Sequence, residues 1–233
     1  MRTIEICCGS IADVKAARYG GAARVELCEA TEIGGLTPSA GLIAGAIRER
    51  EGMKVHVLIR PRGGDFVYTP EEVSVMEADI AAARMAGADG VVIGALTSDG
   101  ELDLPAMKRM LRQAEGMSVT FHRAFDVCGR PLEVIDRLCE LGVDRILTSG
   151  HEETAMQGVE NLADYVKHAA GRIIILPGSG INPMNIDDIE RITGAREFHS
   201  TATDKKALRR VCALFGPMPP ATSEEIVRKL VNN

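Results

Sequence analysis

Short runs of apolar and alternating β-forming residues recur along the chain, separated by longer stretches with helical periodicity. Eight such runs are legible, at 3–8, 24–29, 54–60, 90–95, 118–124, 145–149, 173–177 and 196–200. The punctuation between them is regular. A glycine ends the preceding helical pattern at Gly20, Gly52, Gly87, Gly116, Gly142, Gly171 and Gly194, as expected where a left-handed residue closes a helix. Proline opens the helical pattern at Pro70, Pro105, Pro131 and Pro183, where its missing N–H costs nothing. Ser39 is placed to cap the helix after the second strand, and ATSEEIVRKL begins the last helix.

Strict β/α alternation predicts parallel strands joined by crossover helices. Eight consecutive units, with no insertion or linker, predict a single-domain (β/α)8 TIM barrel over residues 1–233. A doubly wound open sheet is the alternative. The pattern weakens around 202–221, where ATDKK and FGPMPPAT predict a mobile loop.

In a barrel strand, alternate side chains face the interior. Ile4, Ile6, Val25, Leu27, Val55, Val57, Ile59 and Phe198 take the outward parity. Glu5, Cys7, Glu26, Cys28, His56, Leu58 and Arg60 then face inward, as do Glu197, His199 and Thr201. The fifth strand, carried through VTFHRAFD, sends Thr120, His122, Ala124 and Asp126 inward and leaves Arg123 on the outer parity as an ion-pair partner. Such a lining is polar where Val, Ile and Leu usually fill the space. Burying those groups demands that they pair with one another. Converging ionisable groups also mark functional sites. Glu5, Glu26, His56 and Glu197 lie early in their strands; Arg60, His122 and His199 lie nearer the C-terminal ends, where barrel active sites form.

The loops beyond those ends carry candidate chemistry. RPRGGDFVY puts Arg60 and Arg62 beside a diglycine and an aspartate, a composition suited equally to anion capture and to a surface turn held by an Arg–Asp pair. Gly178, Ser179 and Gly180 follow the seventh strand and Ser200 lies in the eighth, where barrels often hold phosphate. Ser149 and His199 extend the same rim.

Composition adds exclusions. A net charge of −6 argues against a nucleic-acid surface, and KKALRR (205–210) reads as a solvated face. No apolar run is long enough to span a membrane, and MRTIEICCGS lacks the apolar core of a signal peptide, so the expected location is cytoplasmic. The six cysteines form no CxxC pair and read as free thiols. Met107 and Met110 read as core.

Taken in order, IGGLTPS (33–39), RPRGGDFVY (60–68), VTFHRAFD (119–126), RILTSG (145–150), GSGI (178–181) and EFHSTA (197–202) resemble the CutC family. IEICCGS and ARVELCEA fit its first two strands, and the likeness fades beyond Thr203. The resemblance implies a cytoplasmic (β/α)8 barrel that assembles as a homo-oligomer, a dimer or tetramer, and a role in copper homeostasis.

Three functions follow for testing. The first is Cu(I) binding through Cys7 and Cys28, which share the inward parity on neighbouring strands and match cysteines of the family; Cu(I) favours such soft ligands. Buried cysteines are also common as plain small hydrophobes. The second is an enzyme acting on a small anionic or sugar-phosphate-like substrate. There His122 is the general acid/base, with Glu26 and Asp126 as further catalytic candidates. Arg60 and Arg62 hold an anion, and Ser149, Gly178, Ser179, Gly180, His199 and Ser200 line the phosphate rim. Glu26, His56, Glu197 and His199 could instead hold a divalent metal, and no nucleotide cofactor is expected. The third is a non-catalytic scaffold, which gains nothing from so polar an interior.

Overall fold

The computed structural model describes residues 2–204 and 220–232. Its strands are β1 (Thr3–Cys8), β2 (Arg24–Leu27), β3 (Lys54–Leu58), β4 (Gly90–Ile93), β5 (Ser118–Phe121), β6 (Arg145–Thr148), β7 (Ile174–Pro177) and β8 (Glu197–Ser200). They alternate with α1 (Ile11–Tyr19), α2 (Ala40–Glu49), α3 (Pro70–Met85), α4 (Leu104–Gln113), α5 (Pro131–Glu140), α6 (Val159–Ala169), α7 (Ile186–Thr193) and α8 (Glu224–Asn232). All strand pairings are parallel, in the order β7-β6-β5-β4-β3-β2-β1-β8, and β7 lies against β8 to complete the ring. This is a (β/α)8 barrel.

Local chemistry starts the helices where the sequence places them. Ser39 accepts from the Leu42 N–H, and Thr69 and Glu72 form a reciprocal capping box with Pro70 in the first turn of α3. Pro183 is the exception. It lies in a turn, and α7 begins three residues later. The first helix–strand junction also differs, because the left-handed residue there is Gly21. Gly20 instead gives room to α8: a Cβ on it would lie 2.5 Å from Val227.

The outward parity builds the main core. Ile4, Ile6, Val25, Leu27, Val55, Val57, Val91, Ile93, Val119, Phe121, Ile146 and Phe198 are all buried between sheet and helices. Met107 and Met110 join them, and Cys8 packs on the same side. No helix among the described residues is long and apolar enough to cross a membrane. Residues 205–219, where the sequence places a mobile loop, lie outside the described residues. The flanking segments are joined by a Thr203–Thr222 bridge and a Ser223 N–H to Ala202 carbonyl bond.

Alternation fails at the end of β5. The strand stops at Phe121, and residues 123–127 form a 3-10 turn in which the Ala124 N–H donates to His122 Nδ1 at 3.2 Å. Parity therefore says nothing about residues beyond His122. Arg123, placed outward by the sequence pattern, lies on the rim of the interior cavity described below.

Bulky polar residues fit inside because β4 carries glycine opposite them. A Cβ on Gly90 would lie 2.6 Å from the His56 ring and from the Ser118 carbonyl. Gly94, four residues on, would similarly meet the His122 ring at 2.5 Å. Gly90→Ala is expected to destabilise the protein by about 1–3 kcal/mol through overpacking. Gly41→Ala, in α2 with open space around it, is expected to stabilise by about 0.5–1 kcal/mol. Urea melts of the two variants measure both, and equal effects would show that the β4 glycines are not space-makers.

Candidate functional site

The interior is built in two tiers. In the lower one Glu5, fully buried, accepts from Arg24 Nε and, at 2.7 Å, pairs with His199 Nδ1. Arg24 Nη2 also reaches Glu197 at 2.6 Å, and Arg145 lies 3.3 Å from the same carboxylate. Arg145 donates to Ser118 Oγ at 2.7 Å as well. Isolated charges at this depth would cost several kcal/mol each, and pairing offsets that cost. Burial alone would raise the Glu5 pKa; Arg24 and His199 reverse this and hold it well below the usual carboxylate range.

In the upper tier His199 Nε2 lies 3.6 Å from Glu26 Oε2. Cys7 Sγ lies 3.2 Å from Cys28 Sγ, and one ligand atom from each of Cys7, Glu26 and His199 falls within 4.8 Å of the others. Burial lowers the His199 pKa, but the Glu26 charge, the Cys7 contact and Glu5 outweigh it and set the imidazole well above its ordinary value. Burial raises Glu26 to about 6 against the pull of His199. The Cys7 thiol is pushed up by its Cys28 contact and by burial.

Above this floor opens a cavity of about 520 Å³ at the C-terminal mouth. Cys7, Glu26, Cys28 and His199 form its base; Leu58, Arg60, Phe66, His122 and Leu147 form its walls. Ser179, Gly180 and Ser200 reach it from the β7 and β8 side. Of these, Ser179 Oγ donates to the Glu153 carbonyl and Ser200 Oγ to the Ile181 carbonyl. Gly178 lies beneath the rim, where a side chain would strike Leu147.

Other sequence candidates serve the loops. Arg62 does not line the cavity; it holds Glu72 at 2.5 Å and Asp65 at 3.0 Å. Ser149 is buried off the cavity, bonded to the Glu152 carbonyl and Asp126. Asp126 touches the cavity but is engaged by Thr148, Arg123 and the Ser149 and His151 N–H groups. Its carboxylate ties the loops after β5 and β6 together. His122 departs from the neutral range expected of a general acid/base: burial and the neighbouring Arg60 push it down to about 3. His56 falls to about 4, chiefly through burial.

The model of the CutC family matches residues 2–204. The chain belongs to the CutC family. A CutC family protein of Bacteroides thetaiotaomicron is 49% identical over 200 residues, covering 86% of this chain and 80% of its own. One from Porphyromonas gingivalis is 48% identical over 240 residues, covering 98% and 96%. The crystal structure of CutC from Streptococcus agalactiae superposes with a TM-score of 0.83 at 36% identity, covering 86% of this chain and 99% of that one. A thiamine phosphate pyrophosphorylase from Pyrococcus furiosus, at 14% identity and TM-score 0.63, shares the fold alone.

Several residues that shape this CutC interior escaped the sequence reading. Arg24 shares the inward parity of Glu26, so its role in the lower tier was readable from that spacing. Arg145 precedes outward Ile146 in the same way. Phe66, a cavity wall, comes from a loop and carries no periodic signal.

The two depressed histidines give a pH prediction. The unfolded chain takes up protons on His56 and His122 near pH ~6.5, whereas the folded chain resists to about 4 and about 3. Their contribution is complete above the unfolded value and is lost as pH falls toward the folded ones. The loss runs at up to about 1.4 kcal/mol per pH unit for each group. His56→Gln and His122→Gln are therefore each expected to lose less stability than the parent between about pH 7 and about pH 4.5. Urea melts across that range check this; parallel losses in parent and variants would contradict it.

Proposed function

We propose that this chain is a (β/α)8 enzyme that binds a small anionic substrate in the mouth cavity and works on it by acid–base chemistry. One observation carries the reading. A cavity of about 520 Å³ has a carboxyl–imidazole pair, Glu26 and His199, at its base and the buried Arg60 in its wall. That volume is in the range of small-molecule pockets. A carboxyl near pH 6 beside a raised imidazole gives two groups with separated proton affinities, which is how acid and base roles are divided. Ser179, Gly180 and Ser200 complete the rim on the side where barrels often hold anionic groups.

Metabolite profiling tests the proposal. Purified protein incubated with a mixture of small anionic metabolites is expected to deplete at least one of them. Glu26→Gln is expected to slow that depletion by about 10²–10⁴-fold. Failure to consume any anionic metabolite, or an unchanged rate in the variant, would overturn the reading.

Cu(I) handling is a second reading, favoured by the 3.2 Å approach of the Cys7 and Cys28 sulfurs at the accessible cavity floor. A role in copper homeostasis has been put forward for the Streptococcus agalactiae relative. The donors fit a soft monovalent ion in part, with two thiols; the nearby His199 imidazole would join them only by giving up a proton. Charge is its main cost. A bis-thiolate copper centre adds a net negative charge beside Glu26, which the Arg60 cation in the cavity wall offsets only in part. If the thiols hold copper, anaerobic Cu(I) competition titrations give one ion per chain, and Cys7→Ser/Cys28→Ser abolishes the tight site. Unchanged affinity in the double variant would remove this reading.

A further inference from the structure

His122 and Arg60 stand apart from the paired groups of the lining. Both are buried, 4% and 5% exposed, and both line the cavity. His122 Nδ1 accepts from the Ala124 N–H at 3.2 Å. In a neutral imidazole the other nitrogen then carries the hydrogen. That nitrogen, Nε2, has no hydrogen-bond partner among the described residues. A buried donor left unmatched is costly, a cost a bound ligand would offset.

Arg60 shows the same incompleteness. Of its five N–H donors, both on Nη1 go to the Ile33 and Gly35 carbonyls, each at 2.9 Å, and one on Nη2 goes to the Gly64 carbonyl. Nε–H and one Nη2–H remain. No carboxylate among the described residues forms an ion pair with it, so a buried positive charge is held by neutral groups, the three carbonyls together with the Tyr68 hydroxyl and the Phe66 ring. The Phe66 ring lies against both groups, 4.8 Å from the His122 ring centroid and 5.1 Å from the Arg60 guanidinium carbon.

Resting on the mouth cavity as a substrate site, we propose that Arg60, Phe66 and His122 form a recognition wall for small oxo acids. Arg60 takes the carboxylate, and His122 Nε2–H donates to the adjacent carbonyl oxygen. Three features point to this chemistry rather than to a phosphate. The His122 donor is a single neutral N–H, suited to polarising a carbonyl without surrendering its proton. The two donors left on Arg60 belong to neighbouring nitrogens, which match the fork of a carboxylate. Phe66 packs on both donors and lines the cavity, an apolar contact that keeps water from a small planar carbonyl–carboxylate unit held there. The low proton affinity of His122, caused by burial and by Arg60, keeps the ring neutral across the physiological range.

The test uses the full chain labelled with ¹⁵N, with pyruvate, propionate and inorganic phosphate as probes. Propionate keeps the carboxylate and lacks the oxygen that would accept from His122. In the free protein, the His122 ring is expected as the Nε2–H tautomer from about pH 5 to about pH 8. Pyruvate is expected to shift the Nε2–H resonance and to bind about tenfold more tightly than propionate, the worth of one hydrogen bond. His122→Phe is expected to bring pyruvate down to the propionate level, and His122→Asn, which keeps a side-chain N–H donor, to restore part of the difference. An Nδ1–H tautomer, an unmoved Nε2–H signal at saturating pyruvate, or an undiminished preference in a folded His122→Phe overturns the proposal. If phosphate moves the Gly34 and Gly180 amides while pyruvate leaves His122 untouched, the oxo-acid inference falls and the anionic-substrate reading stands. If no probe moves any cavity signal, both fall.

Discussion

The carboxylate of Glu5 is the constraint around which this barrel is organised. It is wholly buried on β1 and has acquired partners from both neighbouring strands, Arg24 on β2 and His199 on β8. Removing either partner would leave a charge in a medium that solvates it poorly, which costs far more than the pair contributes. The consequence is geometric. β8 meets β1 where the sequence closes on itself, and the Glu5–His199 bond spans that seam. By engaging Nδ1, the same bond turns Nε2 of His199 toward Glu26. Closure of the fold and orientation of the site are thus one interaction.

Space is the second condition. A lining of arginine, histidine and glutamate needs more room than the branched aliphatic layers common in such barrels. β4 supplies it with Gly90 and, just past its end, Gly94, each under an imidazole, and Gly178 directly after β7 does so beside Leu147 and His199. Three apolar inward residues, Cys28, Leu58 and Val92, form a small separate cluster. It gives the cavity floor a dry patch next to its charged one, and a dry patch strengthens every electrostatic interaction beside it.

Because parallel strands repeat with period two, their inner and outer faces were legible from sequence wherever the strand was regular. Glu5, Cys7, Glu26, Cys28, His56 and His199 all lie where alternation puts them, and the helix signals at Ser39, Pro70, Pro105 and Pro131 mark true starts. Legibility ended at the strand ends, which is where the mouth begins. Beyond His122 the chain enters a 3-10 turn, so Arg123 reaches the cavity rim and Asp126 becomes a tie between loops. Arg62 has the composition of an anion grip, but nothing in sequence reveals that Glu72 already occupies it. Residue type indicated candidate chemistry; only the partners in space could separate free donors from committed ones.

The three interior histidines show how far environment decides role. His199 lies between Glu5 and Glu26 and is charged. His56 feels Glu5, but burial and the guanidiniums of Arg24 and Arg145 prevail, and it stays neutral. His122, on the far wall, feels burial and Arg60, which outweigh a backbone hydrogen bond, and no carboxylate among the described residues acts on it. Apart from Asp126, whose oxygens are taken by Arg123, Thr148 and the Ser149 N–H, the carboxylates cluster toward β1, β2 and β8, so the cavity is electrically lopsided. Proton exchange is available on one side, and fixed neutral and cationic donors on the other. A substrate entering the mouth would be oriented by that asymmetry before any contact specific to its shape, with its oxygens toward Arg60 and His122 and its reactive end over Glu26.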